Sequence, residues 1–293
     1  MTTQETLQVQ APREFIYRGN AVAAGGFLTK LKGKAVEMDM NTVTTHGESS
    51  LPMIGGVSHS VVQPKLPFPD NISYGTCETF VWGSRVGDTA ITTLRASVSN
   101  VRLTTSPSPD DHVPNVQSIS FQAERIAIEV ESTHPQKGQP VIQVKKTETL
   151  GMALLVKRPS GESATTTIQL DFDQEMMSLM TMEQLDNEFL KNRKFFDSHR
   201  GLFPPGSDPA FGKSKLPRTP QGYFSVPIVK QVRLGDQVIQ GNVLTTKGFG
   251  TISFGLMLAD EFSRRFSMVR VRMGSDPGGD GSISACETNG IWQ

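Results

Sequence analysis

Between Phe249 and Met273 apolar side chains recur at every second position, and no other stretch limits the fold as strongly. Ile252, Phe254, Leu256 and Leu258 share one parity, and Phe249, Thr251, Ser253, Gly255 and Met257 take the other. Successive side chains of a strand point to opposite faces, so the first set predicts a core face and the spacing excludes a helix. Ala259-Asp260-Glu261 reads as a turn. Phe266 to Met273 reads as the returning strand, with Val269, Val271 and Met273 on one side and Arg270 and Arg272 on the other. Gly274 to Gly281 holds four Gly and one Pro. Positive φ is open to Gly and Pro lacks an amide donor, so a loop is expected there.

Similar alternation runs upstream. Ile126, Ile128 and Val130 alternate with polar neighbours, as do Ile168, Leu170 and Phe172. In Asp88 to Leu103 the parity of Leu94, Ala96 and Val98 passes to Val101 and Leu103, the slip a β-bulge would cause. Many short strands with turn signals between them predict a mainly β fold, an antiparallel sandwich or barrel.

One segment departs from this period. Gln174 to His199 is rich in Met, Leu, Glu and Lys, and Met182, Leu185, Phe189 and Phe196 fall on one helical face. Thr181 and Gln184 fit a capping box. Phe203 to Gly222 is Pro- and Gly-rich. The expected organisation is a polar tail over 1–14, a β-rich body from 15–173 plus 222–293, and one helical insertion with its loop at 174–221. Two β domains, 15–173 and 222–293, are the alternative.

Fragments of the C-terminal stretch, GNVLTTKGFGTISFG, RRFSMVRVRMGS and ETNG, together with LPMIGG at Leu51 to Gly56, resemble uncharacterised bacterial β-rich proteins of unknown function. The resemblance implies no catalytic residue.

Composition narrows the function. Twenty-nine basic residues balance twenty-nine acidic ones, which argues against a surface built throughout to hold nucleic acid. No apolar run approaches the roughly 20 residues of a membrane-spanning helix. The first fifteen residues contain acids and no apolar core, so no signal peptide and a cytoplasmic location are expected, with export left open. The two Cys, Cys77 and Cys286, are expected as reduced buried thiols.

No P-loop, HExxH, GxSxG or CxxC occurs. Asp171 and Asp173 are the candidate catalytic pair. On one strand face their Cα atoms would stand about 7 Å apart, close enough for acid–base work on a glycosidic bond or for holding a cation. Asp276 and Asp280 are the candidate metal ligands, in the Gly-rich loop. Lys191, Arg193, Lys194, Arg200, Lys213, Lys215 and Arg218, against Asp197 and Asp208, leave an excess of five positive charges among interleaved Phe residues. These are candidates for an anionic partner, and Arg264, Arg265, Arg270 and Arg272 could form a second patch. His59 between Ser58 and Ser60 sets a base beside two hydroxyls, but neighbours on a strand point apart, so they form no nucleophile–base pair.

The sequence leans away from an enzyme and from any cofactor. It favours a binding or self-assembly protein acting through its surfaces, with a homo-oligomer expected. A carbohydrate-active hydrolase using Asp171 and Asp173, and an anion-binding module using 191–218, are the rivals.

Overall fold

The computed structural model describes residues 14–30, 44–64, 71–107, 111–178, 224–259, 264–274 and 278–293. In chain order the elements are β1 (Phe15–Lys30), β2 (Thr44–Ser50), β3 (Gly56–Val62), β4 (Ile72–Ser73), β5 (Cys77–Val86) and β6 (Thr89–Thr105). They continue as β7 (Ser118–Pro135), β8 (Val141–Leu150), β9 (Ala153–Lys157), β10 (Ser163–Phe172) and the short helix α1 (Gln174–Ser178). The last seven are β11 (Phe224–Pro227), β12 (Val229–Leu234), β13 (Gln237–Gln240), β14 (Val243–Thr246), β15 (Gly250–Ala259), β16 (Arg264–Met273) and β17 (Gly278–Trp292).

The strands form two antiparallel sheets, so the fold is the mainly β sandwich that the alternation predicts. The first sheet has seven strands in the order β11-β15-β16-β17-β1-β2, with β14 also beside β15. The second has ten, in the order β13-β12-β10-β9-β7-β6-β5-β3, with β4 beside β6 and β8 beside β7. Strands on either side of residues 174–221 are hydrogen-bonded to one another, β1 with β17 and β10 with β12. Of residues 174–221, those of α1 are described. Thr181, Gln184 and the Met182–Phe196 stripe lie outside the described residues, as do the 203–222 loop and 1–13 of the polar tail.

The inner faces bury one apolar core, in which Phe121 of β7 meets Phe254 of β15 at 6.4 Å between ring centroids. Hydroxyl groups also cross between the layers. Ser49 reaches Thr79 at 2.8 Å, Ser132 reaches Thr288 at 2.7 Å, and Thr105 donates to the Gly248 carbonyl at 2.7 Å. A buried hydroxyl left without a partner is costly, and each of these three finds one on the opposite layer.

A transverse crease runs through both sheets. In the first, pairing skips Gly47, Ala23, Ser284, Met268 and Gly255 on five adjacent strands and resumes at the same offset. Gly47, Ser284 and Gly255 have φ of 63°, 53° and 56°. In the second sheet, Asn100, with φ 48°, and Glu124 are skipped in the same way. Ser284 Oγ donates to the Ile126 carbonyl at 2.9 Å, joining the two creases.

The left-handed residue advances the chain without completing a pleat, so inward and outward exchange on either side of it. This corrects the face assigned to β15. Ile252 and Phe254 point into the core, but beyond Gly255 the inward residues are Met257 and Ala259. Leu256 is buried on the other side and Leu258 is half-buried. The same slip moves the core from Leu94, Ala96 and Val98 to Val101 and Leu103 with no change of register between β6 and β7.

The Gly-rich C-terminal loop is shorter than its composition suggests. Gly279 to Gly281 pair with both β16 and β1 as strand, and Gly278 pairs with β1.

Candidate functional site

The carboxylates singled out by the sequence have local partners. Asp171, on β10, stands 3.6 Å from Lys230 Nζ of β12. Asp173 ends the strand and caps α1, its Oδ1 accepting from the Met176 amide at 3.1 Å. That is the usual task of an Asp at a helix start, where the first amides lack partners.

Asp280 is held by two guanidinium groups, Arg270 at 3.1 Å and Arg272 at 3.6 Å. Asp276 lies outside the described residues. Among the described residues no group of three or more His, Cys, Asp or Glu gathers as a metal site. Lys191, Arg193, Lys194, Arg200, Lys213, Lys215 and Arg218 all lie outside the described residues. Of the second set, Arg265 bonds Glu287, Arg270 and Arg272 bond Asp280, and Arg264 is buried. No helix of the described residues is long and apolar enough to cross a membrane.

The fold sets Gly47, the residue after His46, against Cys77, because β2 crosses the start of β5. A Cβ on Gly47 would lie 3.1 Å from Cys77 Cβ. The His46 ring is 6.2 Å from that of Tyr74. Burial pushes the Cys77 thiol up to about 11 and the His46 imidazole down from 6.5. Both shifts oppose a thiolate–imidazolium pair, the form a cysteine nucleophile needs. Cys286 is likewise a buried free thiol, with its pKa raised by burial.

What the molecule does expose is β3. Its position follows from the crossover before it. Leu51 donates its amide to the Gly19 carbonyl at 2.8 Å, and the Tyr17 amide donates to the Met53 carbonyl at 2.9 Å. Leu51 packs against Gly19 and Gly83, and the Tyr17 ring lies over Gly83, so no side chain larger than hydrogen fits at 83 without displacing them. The chain thus leaves the first sheet at Ser50 and enters the second as β3.

There β3 pairs with β5 in one unbroken register, from Gly56↔Gly83 to Val62↔Cys77. Among the described residues β5 is its one partner strand. Every second amide and carbonyl along its free side therefore points away from the sheet.

The side chains of this edge are those of Val and Ser, with one His. Val57 is 61% exposed and Val61 54%. Both share the outer face with His59, opposite Trp82, Glu78 and Phe80 of β5. Met53, and Ile54 at 93% exposure, extend the apolar surface at one end, and exposed Trp82 and Val86 adjoin it. His59 Nε2 lies 3.5 Å from Glu78 Oε1.

The other outer strands are shielded by ordinary means. β2 carries Glu48 and is interrupted at Gly47. β11 contains Pro227, and β13 and β14 are four residues each. Charges, Pro, irregularity and shortness are what keep sheet edges apart, and β3 has none of them. The sequence places Ser58, His59 and Ser60 on a strand, but GVSHSVV shows no strict oily–polar alternation to mark that strand as an edge. The uncharged seven-residue run was the available signal.

A family model described as a domain of unknown function (DUF8256) matches residues 15–202. No curated protein and no solved structure matches the chain. The matched interval takes in β1 to β10 and the β3 edge. It stops before the C-terminal stretch whose fragments resemble bacterial β-rich proteins, and of those fragments only LPMIGG falls inside it.

Proposed function

We propose that this chain, which belongs to the DUF8256 family, is a non-enzymatic assembly protein that joins a second copy of itself by strand addition at β3. One observation carries the reading. β3 is a seven-residue edge with no Lys, Arg, Asp or Glu, no Pro and no break, and exposed valines line it. An unprotected edge offers amides and carbonyls in the spacing another strand needs. Adjoining apolar side chains supply area that water disfavours.

The occupant is another copy because the edge carries no net charge that would select a charged partner, and a like edge presents the same valines. The rival hydrolase reading loses ground because Asp173 caps α1 and Asp171 faces Lys230.

The test is the mass in solution across a hundredfold range of concentration, for the native chain and Val61→Lys. An edge lysine is a common natural block to pairing. The native chain is expected to rise to twice its 32.0 kDa, and Val61→Lys to stay at 32.0 kDa with the unfolding midpoint of the dilute native chain. A native chain that remains at 32.0 kDa throughout would overturn the proposal.

A further inference from the structure

We infer that the assembly is a closed two-fold dimer in which β3 pairs antiparallel with its own copy, centred on His59; this rests on the edge being a self-association surface.

The inference comes from the order of residues along β3. Val57-Ser58-His59-Ser60-Val61 reads the same in both directions about His59. A two-fold axis through residue 59 of an antiparallel pair sets Val57 against Val61 of the second copy. Ser58 then meets Ser60, and His59 meets His59. Every contact joins like to like, valine to valine and serine to serine. Directly opposed side chains are the unit of sheet stabilisation.

Faces agree as well. Val57, His59 and Val61 lie on the outer side, with Ser58 opposite the buried Val81 on the inner side. Directly opposed residues of an antiparallel pair point the same way, so the outer faces of the two ten-stranded sheets join into one. Moving the centre to Ser58 or Ser60 would set His59 against a valine and leave the other valine hanging over the end. Such shifts lose the match that fixes register.

The next strand completes the seam. Trp82 lies beside Val57 and Glu78 beside Val61, so each valine pair is flanked by an indole at one end. Glu78 stands one strand back from the seam. Its carboxylate is engaged by His59 at 3.5 Å and by Ser97 Oγ at 3.5 Å, so no carboxylate faces another across the axis.

The symmetry has a consequence for size. A two-fold contact uses the same patch on both partners and leaves no free copy of it. The remaining described edges are short, charged or broken, so growth stops at two chains rather than continuing as a fibre.

Single cysteines introduced at the edge test the register under mild oxidation with diamide, at a concentration where the native mass is doubled. His59→Cys should be trapped as a disulfide dimer, because opposed Cα atoms stand about 4.5–5.5 Å apart, within disulfide range. Val57→Cys alone and Val61→Cys alone should not be trapped, since each would lie about 13 Å from its own copy. An equimolar mixture of those two variants should be trapped.

If Val57→Cys or Val61→Cys alone is trapped in preference to His59→Cys while the mass is doubled, the register is overturned and edge assembly survives. If no variant is trapped and the mass stays at 32.0 kDa, both fail.

Discussion

At the scale of single residues, the fold depends on a few side chains held in uncomfortable states. His134 is buried against Phe15, with ring centroids 5.0 Å apart, and burial pushes its pKa down from 6.5 to about 4. The folded chain therefore declines a proton that the unfolded chain accepts. Stability is full above about pH 6.5 and is lost as the pH falls towards 4, by roughly 3 kcal/mol in total. His46, also lowered by burial, adds to the loss with the same sign. Urea midpoints at pH 7.5 and pH 4.5 should show this loss, and His134→Gln should remove most of the difference. An equal acid loss in His134→Gln would assign the sensitivity to other groups. Asp171 and Asp173 raise a separate question, of contacts rather than protons. A pair of carboxylates two residues apart is as well explained by a helix cap and a lysine partner as by chemistry. The spacing in the sequence points to the chemistry alone; the cap and the lysine contact come from the structure.

At the scale of elements, the crease is the feature that strand periodicity read only in part. The alternation in β6, β15 and β16 was visible residue by residue, and the parity slip after Val98 was visible too. A slip in one strand looks like a local bulge. That Gly47, Ser284, Gly255 and Asn100 belong to one line across two sheets depends on which strands are neighbours, and that information is non-local. The same limit hid β3. Its composition was on the page, but being an edge is a property of strand order. Gly255 and Gly87 separate the two costs at the crease, for their φ values are 56° and 59°. A Cβ on Gly255 would lie 2.7 Å from Val229 Cγ2 and 2.8 Å from Ile228 Cγ1, whereas a Cβ on Gly87 would meet nothing within 4 Å. Gly87→Ala should lower stability by about 1 kcal/mol, the left-handed cost alone. Gly255→Ala should cost about 2–4 kcal/mol, since packing is added. Equal losses in denaturant titration would mean that the core yields at Gly255 without strain.

At the scale of the whole molecule, the two sheets are tied through strands far apart in the chain. β1 lies between β17 and β2, and β10 lies between β9 and β12, so the family interval 15–202 ends before the strands that complete both sheets. The layers bury their inner faces in each other, and most outer edges carry a charge, a Pro or a break. β3 is the exception on which the functional account stands. Amide exchange followed over Gly56–Val62 at low and high protein concentration tests it most directly. The account predicts that about half of the β3 amides, those aimed away from β5, exchange quickly when dilute and become protected when concentrated, while β13 is unchanged. Exchange in β3 that stays the same at both concentrations would contradict it.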